Sequence, residues 1–136
     1  MALSTHRTIV RGRGWRPDVV TRLGLDGVRE AQLLSFCERW KVDDLELFGS
    51  VVRADFRTDS DVDVLVTFEP GADWGLIEHA LMEEELAELL RRPVDLLTRR
   101  AVERSANMMR RASILEQAVS LLSTAKPSAD AERVGT

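Results

Sequence analysis

Two aspartates, Asp61 and Asp63, stand one residue apart at the head of the run Asp61-Val62-Asp63-Val64-Leu65-Val66, and ten residues, 51–60, separate them from the pair Gly49-Ser50. On a strand, side chains at this spacing leave the same face about 6.6 Å apart, close enough for both carboxylates to reach shared cations. Val62, Val64 and Val66 then point the other way, into a core. A two-metal centre needs oxygen ligands around ions about 3.5–4 Å apart, and Mg²⁺ prefers a few carboxylates plus substrate phosphates to an all-protein cage. Gly49 has no Cβ, which lets a phosphate approach the backbone. Ser50 is placed to cap a short helix beginning at residue 51, whose N–H groups and positive dipole end suit an anion. One side of such a cleft takes triphosphate and the other metal. A third acid lies in Arg92-Pro93-Val94-Asp95-Leu96-Leu97-Thr98. An aspartate inside a strand is costly unless it is paired, hydrogen-bonded or bound to metal. A strand here, laid beside the first, brings Asp95 to Asp61 and Asp63.

Each piece has an ordinary explanation on its own: acidic pairs occur at solvated strand ends, and Gly-Ser is a common turn. The joint spacing, the alternation on both flanks and the third strand aspartate favour a functional site. A calcium loop over Asp59, Asp61 and Asp63 fails, because Val64 stands where that loop needs glycine and Pro70 where it needs a bidentate glutamate.

Gly-Ser, ten residues, Asp-x-Asp and a later strand aspartate resemble the nucleotidyltransferase superfamily of DNA polymerase beta. Within it the chain is similar to the minimal nucleotidyltransferases, often encoded beside HEPN toxins. The stretches Val94-Asp95-Leu96-Leu97-Thr98 and Asn107-Met108-Met109-Arg110-Arg111-Ala112-Ser113-Ile114-Leu115-Glu116 share that resemblance, which spans about residues 28–120. The resemblance implies transfer of AMP from ATP to an acceptor hydroxyl with release of pyrophosphate. It implies two Mg²⁺ ions held by Asp61, Asp63 and Asp95, with Asp95 taking or orienting the acceptor proton, and outer phosphates cradled by Gly49 and Ser50. The implied acceptor is a hydroxyl, Tyr in the family, of a partner HEPN toxin, which makes this chain the antitoxin of a type VII-like pair. Two other functions remain open: an antitoxin that acts only by binding, and a small-molecule nucleotidyltransferase of the aminoglycoside type. All three carboxylates are intact, which weighs against an idle site.

These residues need a scaffold. Asp26 caps a predicted helix over 27–40 with an apolar stripe of Val28, Ala31, Leu34, Cys37 and Trp40. A strand over 45–48 leads into Gly49. Arg53, one turn after Ser50, is open to two readings, a phosphate contact or a surface ion pair with Asp55 or Asp59. Ser60, in the loop before Asp61, is a further phosphate candidate. Asp73 caps a predicted helix over 74–90, and Glu83, Glu84, Glu85 and Glu88 form a mostly solvated face. His79, with no Cys, His or Asp at metal spacing, is read as structural. Residues 101–123 predict one long amphipathic helix, part core and part contact surface for another protein. The order helix, strand, short helix, strand, helix, strand, helix predicts an α/β fold, a small mixed β-sheet flanked by helices.

The expected organisation is a flexible basic arm over 1–25, a catalytic domain over 26–124 and a disordered tail over 125–136. A chain of 136 residues with 44% apolar and 31% charged residues fits one globular domain. Its net charge of -4 argues against a dedicated nucleic-acid surface. One cysteine, Cys37, allows no internal disulfide. The absence of an apolar run near about 18 residues or of a signal-type start argues for no membrane partner and a cytoplasmic setting. Homo- and hetero-oligomers are both left open.

Overall fold

A computed structural model describes residues 8–10, 12, 14–53, 55–57 and 59–125. Its order is β1 (Thr8–Val10), α1 (Pro17–Arg22), α2 (Gly27–Trp40), β2 (Val42–Phe48), a 3-10 turn (Gly49–Val51), β3 (Val62–Phe68), α3 (Leu76–Leu90), β4 (Val94–Thr98), α4 (Arg99–Glu103), α5 (Met108–Gln117) and β5 (Val119–Ala125). The strands make one sheet in the order β1-β5-β2-β3-β4. Only β3 and β4 run parallel, joined by α3 as the crossover a parallel pair requires; the other neighbours are antiparallel. The predicted mixed sheet with flanking helices is what forms.

Alternation along the strands gives the sheet two unlike faces. Leu45, Leu47, Val62, Val64, Val66 and Leu96 point into the main core, against Leu33, Phe36 and Cys37 of α2 and Met82, Leu86 and Leu90 of α3. On the other face Phe48 and Leu65 meet Val102 of α4 and Ile114 of α5 in a smaller cluster. Cys37 is fully buried, as packing on α2 requires.

Asp26 caps α2 as expected, accepting from the Arg29 N–H at 2.9 Å. The face α2 buries is shifted from the expected stripe, leaving Val28 68% exposed. Asp73 does not cap α3. The helix starts at Leu76, where the Glu78 side chain accepts from the Gly75 N–H at 2.9 Å. Trp74 instead lies edge-on to Trp40 and donates to its carbonyl at 2.9 Å.

Two larger expectations are corrected. The helix predicted over 101–123 is broken into α4, α5 and β5. Thr98 and Asn107 each cap a helix by accepting from the N–H three residues on, and β5 enters the sheet between β1 and β2. β5 is antiparallel to both neighbours, and its register against β2 shifts at Leu121, so the adjacent Leu121 and Leu122 both enter the main core and imitate a helical pattern. The arm expected over 1–25 contributes β1 to the sheet and α1 to the core. Pro17 opens α1 at a position where its missing N–H costs nothing. Val19 and Leu23, one helical turn apart, are 1% and 4% exposed. Leu23→Ala is therefore expected to cost about 2–5 kcal/mol, read as a lower urea midpoint; a solvated arm would leave the midpoint unmoved. Arg7, Arg11, Arg13 and the tail beyond Ala125 lie outside the described residues.

Candidate active site

Asp63 is the second residue of β3 and Asp95 the second residue of β4, and the parallel register sets them side by side. On its other flank Asp63 faces Phe48, the last residue of β2, so the chain turns at Gly49 directly beside it. Asp61 precedes β3 by one residue and is exposed. The ends of three strands thus collect three carboxylates and a tight turn. Parallel pairing is what brings Asp95 in, and it depends on α3 returning the chain to the same end of the sheet.

Gly49 has φ +74°, in the left-handed region that disfavours any residue with a Cβ. A Cβ built there falls on Asp63 Oδ2, inside van der Waals contact, and 3.1 Å from Cγ. The glycine is therefore required twice, by backbone conformation and by the carboxylate packed against it. Ser50 lies within the 3-10 turn rather than capping it; the cap position is Phe48, which has no side-chain cap bond.

Burial pushes the Asp63 carboxyl above the ordinary aspartate range, and the negative charges of Asp95 and then Asp61 push it further. Arg53 and Arg110 act in the opposite sense. Among the described residues no three His, Cys, Asp or Glu side chains stand as a ready metal cage. The donor set nevertheless suits Mg²⁺: it is all oxygen, it carries mutually repelling negative charge, and it is open on the side where Asp61 and Asp95 are exposed. A site that relies on substrate oxygens to complete its coordination has this character.

The remaining expected residues divide. Arg53 Nε pairs with Asp55 at 3.2 Å, both side chains at least half exposed, while its charge still reaches Asp63. Ser60 Oγ accepts from the Arg57 N–H at 3.0 Å and so closes its own loop.

Several contributors are not legible in the motif. Arg110 of α5 acts electrostatically on Asp63. On α3, His79 Nε2 lies 2.9 Å from the Leu96 carbonyl and Glu83 accepts from the Leu96 N–H at 2.8 Å. These two side chains, four apart on one helix face, satisfy the outer edge of β4 next to Asp95, so Glu83 is not the solvated residue expected. Arg16 and Arg22 bond to backbone carbonyls just after the Gly49 turn. The i, i+4 spacing of His79 and Glu83 was the one available signal; the arginines act across 29 to 36 residues and left none.

Comparison with known proteins places the chain among enzymes of one kind. Residues 29–121 match the model of the nucleotidyltransferase domain. Protein adenylyltransferase MntA of Thermococcus cleftensis is 34% identical over 79 residues, 58% of this chain and 78% of that protein. A solved chain assigned as a minimal nucleotidyltransferase is 36% identical, with a TM-score of 0.55 over 76% of this chain and 96% of its own length. A toxin–antitoxin structure with AMP-PNP shares the fold at 23% identity, with a TM-score of 0.53 over 68% of this chain and 71% of its own.

Proposed function

The chain belongs to the nucleotidyltransferase domain family, and on that premise we propose that it transfers AMP from ATP to a side-chain hydroxyl of a partner HEPN toxin and thereby acts as the antitoxin. The observation that carries this reading is the register that sets Asp63 between Asp95 and the Gly49 turn. It keeps the catalytic parts together in a chain whose relative is a protein adenylyltransferase.

Asp61, Asp63 and Asp95 are the residues to hold Mg²⁺. When bound, the ions supply neutralisation of triphosphate charge and a lowered pKa of the acceptor hydroxyl. The turn at Gly49-Ser50 presents backbone N–H groups to the outer phosphates. Asp95, exposed beside Asp63, is the group to accept or orient the acceptor proton. The acceptor oxygen attacks the α-phosphorus, the bond to the β-phosphate oxygen breaks, and pyrophosphate leaves with its electrons. An exposed ion pair such as Arg53–Asp55 is worth at most about 1 kcal/mol, so Arg53 is free to turn toward the departing pyrophosphate.

The acceptor brings its own surface. Met108 and Met109, 68% and 86% exposed, open α5 next to Arg110, whose charge acts on Asp63. An apolar, adaptable patch beside the carboxylates suits a protein acceptor better than a small polar one. A tyrosine acceptor and a cytoplasmic setting complete the proposal; no helix among the described residues is long and apolar enough to cross a membrane.

Incubation of the chain with ATP, Mg²⁺ and the HEPN protein encoded beside it is expected to add the mass of AMP to that protein. The α-phosphate label should be retained, the γ-phosphate label lost, and chelation of the metal should stop the reaction. An unchanged partner mass with ATP and Mg²⁺ in excess would count against the proposal.

A further inference from the structure

Helix α1 lies before residue 29, where the match to the family begins, yet Arg22 on it and Arg16 just before it reach the end of the Gly49–Val51 turn. Arg22 Nη1 donates to the Val51 carbonyl at 2.8 Å and to the Arg53 carbonyl at 3.3 Å, and Arg16 Nη1 donates to the Val52 carbonyl at 3.3 Å. Those are the carbonyls at the end of the 3-10 turn that starts at Gly49, where a short helical turn has no backbone donors left to offer. Asp18 holds both guanidinium groups, accepting from Arg16 at 3.1 and 2.6 Å and from Arg22 at 3.3 Å. Val19 and Leu23 fix α1 into the main core. The arginines are thus tethered at one end by packing and at the other by Asp18.

We propose that Arg22, with Arg16 beside it, is a positioning residue that fixes the Gly49–Val51 turn for its triphosphate. The inference rests on the reading of that turn as the phosphate cradle. Two consequences follow from the geometry. The turn is held at the φ that keeps Gly49 against Asp63, so its N–H groups and the carboxylate keep one relative placement. The carbonyl oxygens of residues 51–53, which repel phosphate, are covered by cationic donors. Because the turn grips the triphosphate in the ground state as well as the transition state, loosening it raises KM more than it lowers kcat.

The test compares the full-length chain with Arg22→Met, which keeps the stem and removes the donors, and Arg22→Lys, which keeps one cationic donor. Leu33→Val, in the core under α2, serves as a control for general loss of stability. Calorimetric titration with AMP-PNP and Mg²⁺ is expected to show binding about tenfold weaker in Arg22→Met, with partial recovery in Arg22→Lys and none of this change in Leu33→Val. Hydrogen exchange over residues 48–53 without ligand should be faster in Arg22→Met than in either the parent or Leu33→Val. Unchanged exchange in Arg22→Met overturns the positioning role, as does nucleotide binding equal to the parent's. If exchange responds but the parent itself binds no nucleotide, it is the phosphate reading of the turn that falls, and the positioning claim with it.

Discussion

Asp63→Asn is expected to lower AMP transfer by about a thousandfold or more while making the ligand-free chain more stable at neutral pH. The loss follows from the central place of Asp63: of the three site carboxylates it stands between Phe48 and Asp95 in the sheet, and removing its charge leaves the ions only the two exposed acids. The gain follows from the direction in which its carboxyl is perturbed. Burial first, then Asp95 and Asp61, raises its folded pKa above the unfolded value. For an aspartate shifted upward, ionisation costs folding free energy. That cost is absent at pH below the unfolded pKa, grows as pH rises through the interval up to the folded pKa, and is complete above it. Asparagine does not titrate, so the excess stability of the variant should be near its minimum in acid and largest at neutral pH. The expected reading is a Tm above the parent's at neutral pH, with the difference shrinking as pH falls. Adding Mg²⁺ and a non-reactive ATP analogue should reverse the order, because only the parent gains stability by binding. Thermal melts across pH, with and without ligand, read all three effects. A variant less stable than the parent at neutral pH without ligand would mean that Asp63 is held by compensating contacts rather than strained by its neighbours.

The site was more legible in the sequence than the sheet that carries it. Asp63 and Asp95 stand out because a carboxylate on an otherwise apolar strand has few inexpensive explanations; alternation predicts that Asp61 shares a face with Asp63, while Asp95 joins them only through the parallel register. Asp26 was equally readable, since a cap depends on residues three apart. What failed were the segments whose state is set by distant partners. β5 pairs with β1 and β2 through residues more than 70 positions away, and the register shift at Leu121 breaks the alternation that distinguishes a strand from a helix. α1 carried a local signal in Pro17 and in Val19 with Leu23, but the surrounding arginines and glycines outweighed it. Ser60 carries a loop contact that no motif encodes, its hydroxyl accepting from the Arg57 N–H while its own O–H stays free to donate.

Gly49→Ala is expected to cost both stability and activity, and the two losses have separable origins. An alanine at φ +74° carries a backbone penalty of about 1 kcal/mol. Its Cβ also falls where Asp63 Oδ2 sits, with Cγ at 3.1 Å and the Asp63 Cβ at 3.4 Å. Relief requires either that the Asp63 carboxylate rotate away or that the turn shift, and each displaces a part of the site that must be held to a fraction of an ångström. A transfer rate lower by about 10²–10³-fold follows, since a misplacement near 1 Å is worth about 10² on its own. The total stability loss should be about 1–3 kcal/mol, opposite in sign to the effect of Asp63→Asn. A double-mutant cycle separates the terms. In an Asp63→Ala background both the oxygen and the Cγ that crowd the new methyl group are gone and only the Cβ at 3.4 Å remains, so Gly49→Ala should cost only its backbone share, about 1 kcal/mol. Equal costs in the two backgrounds would show that the turn yields without disturbing Asp63, and the contact between glycine and carboxylate would then have no part in building the site.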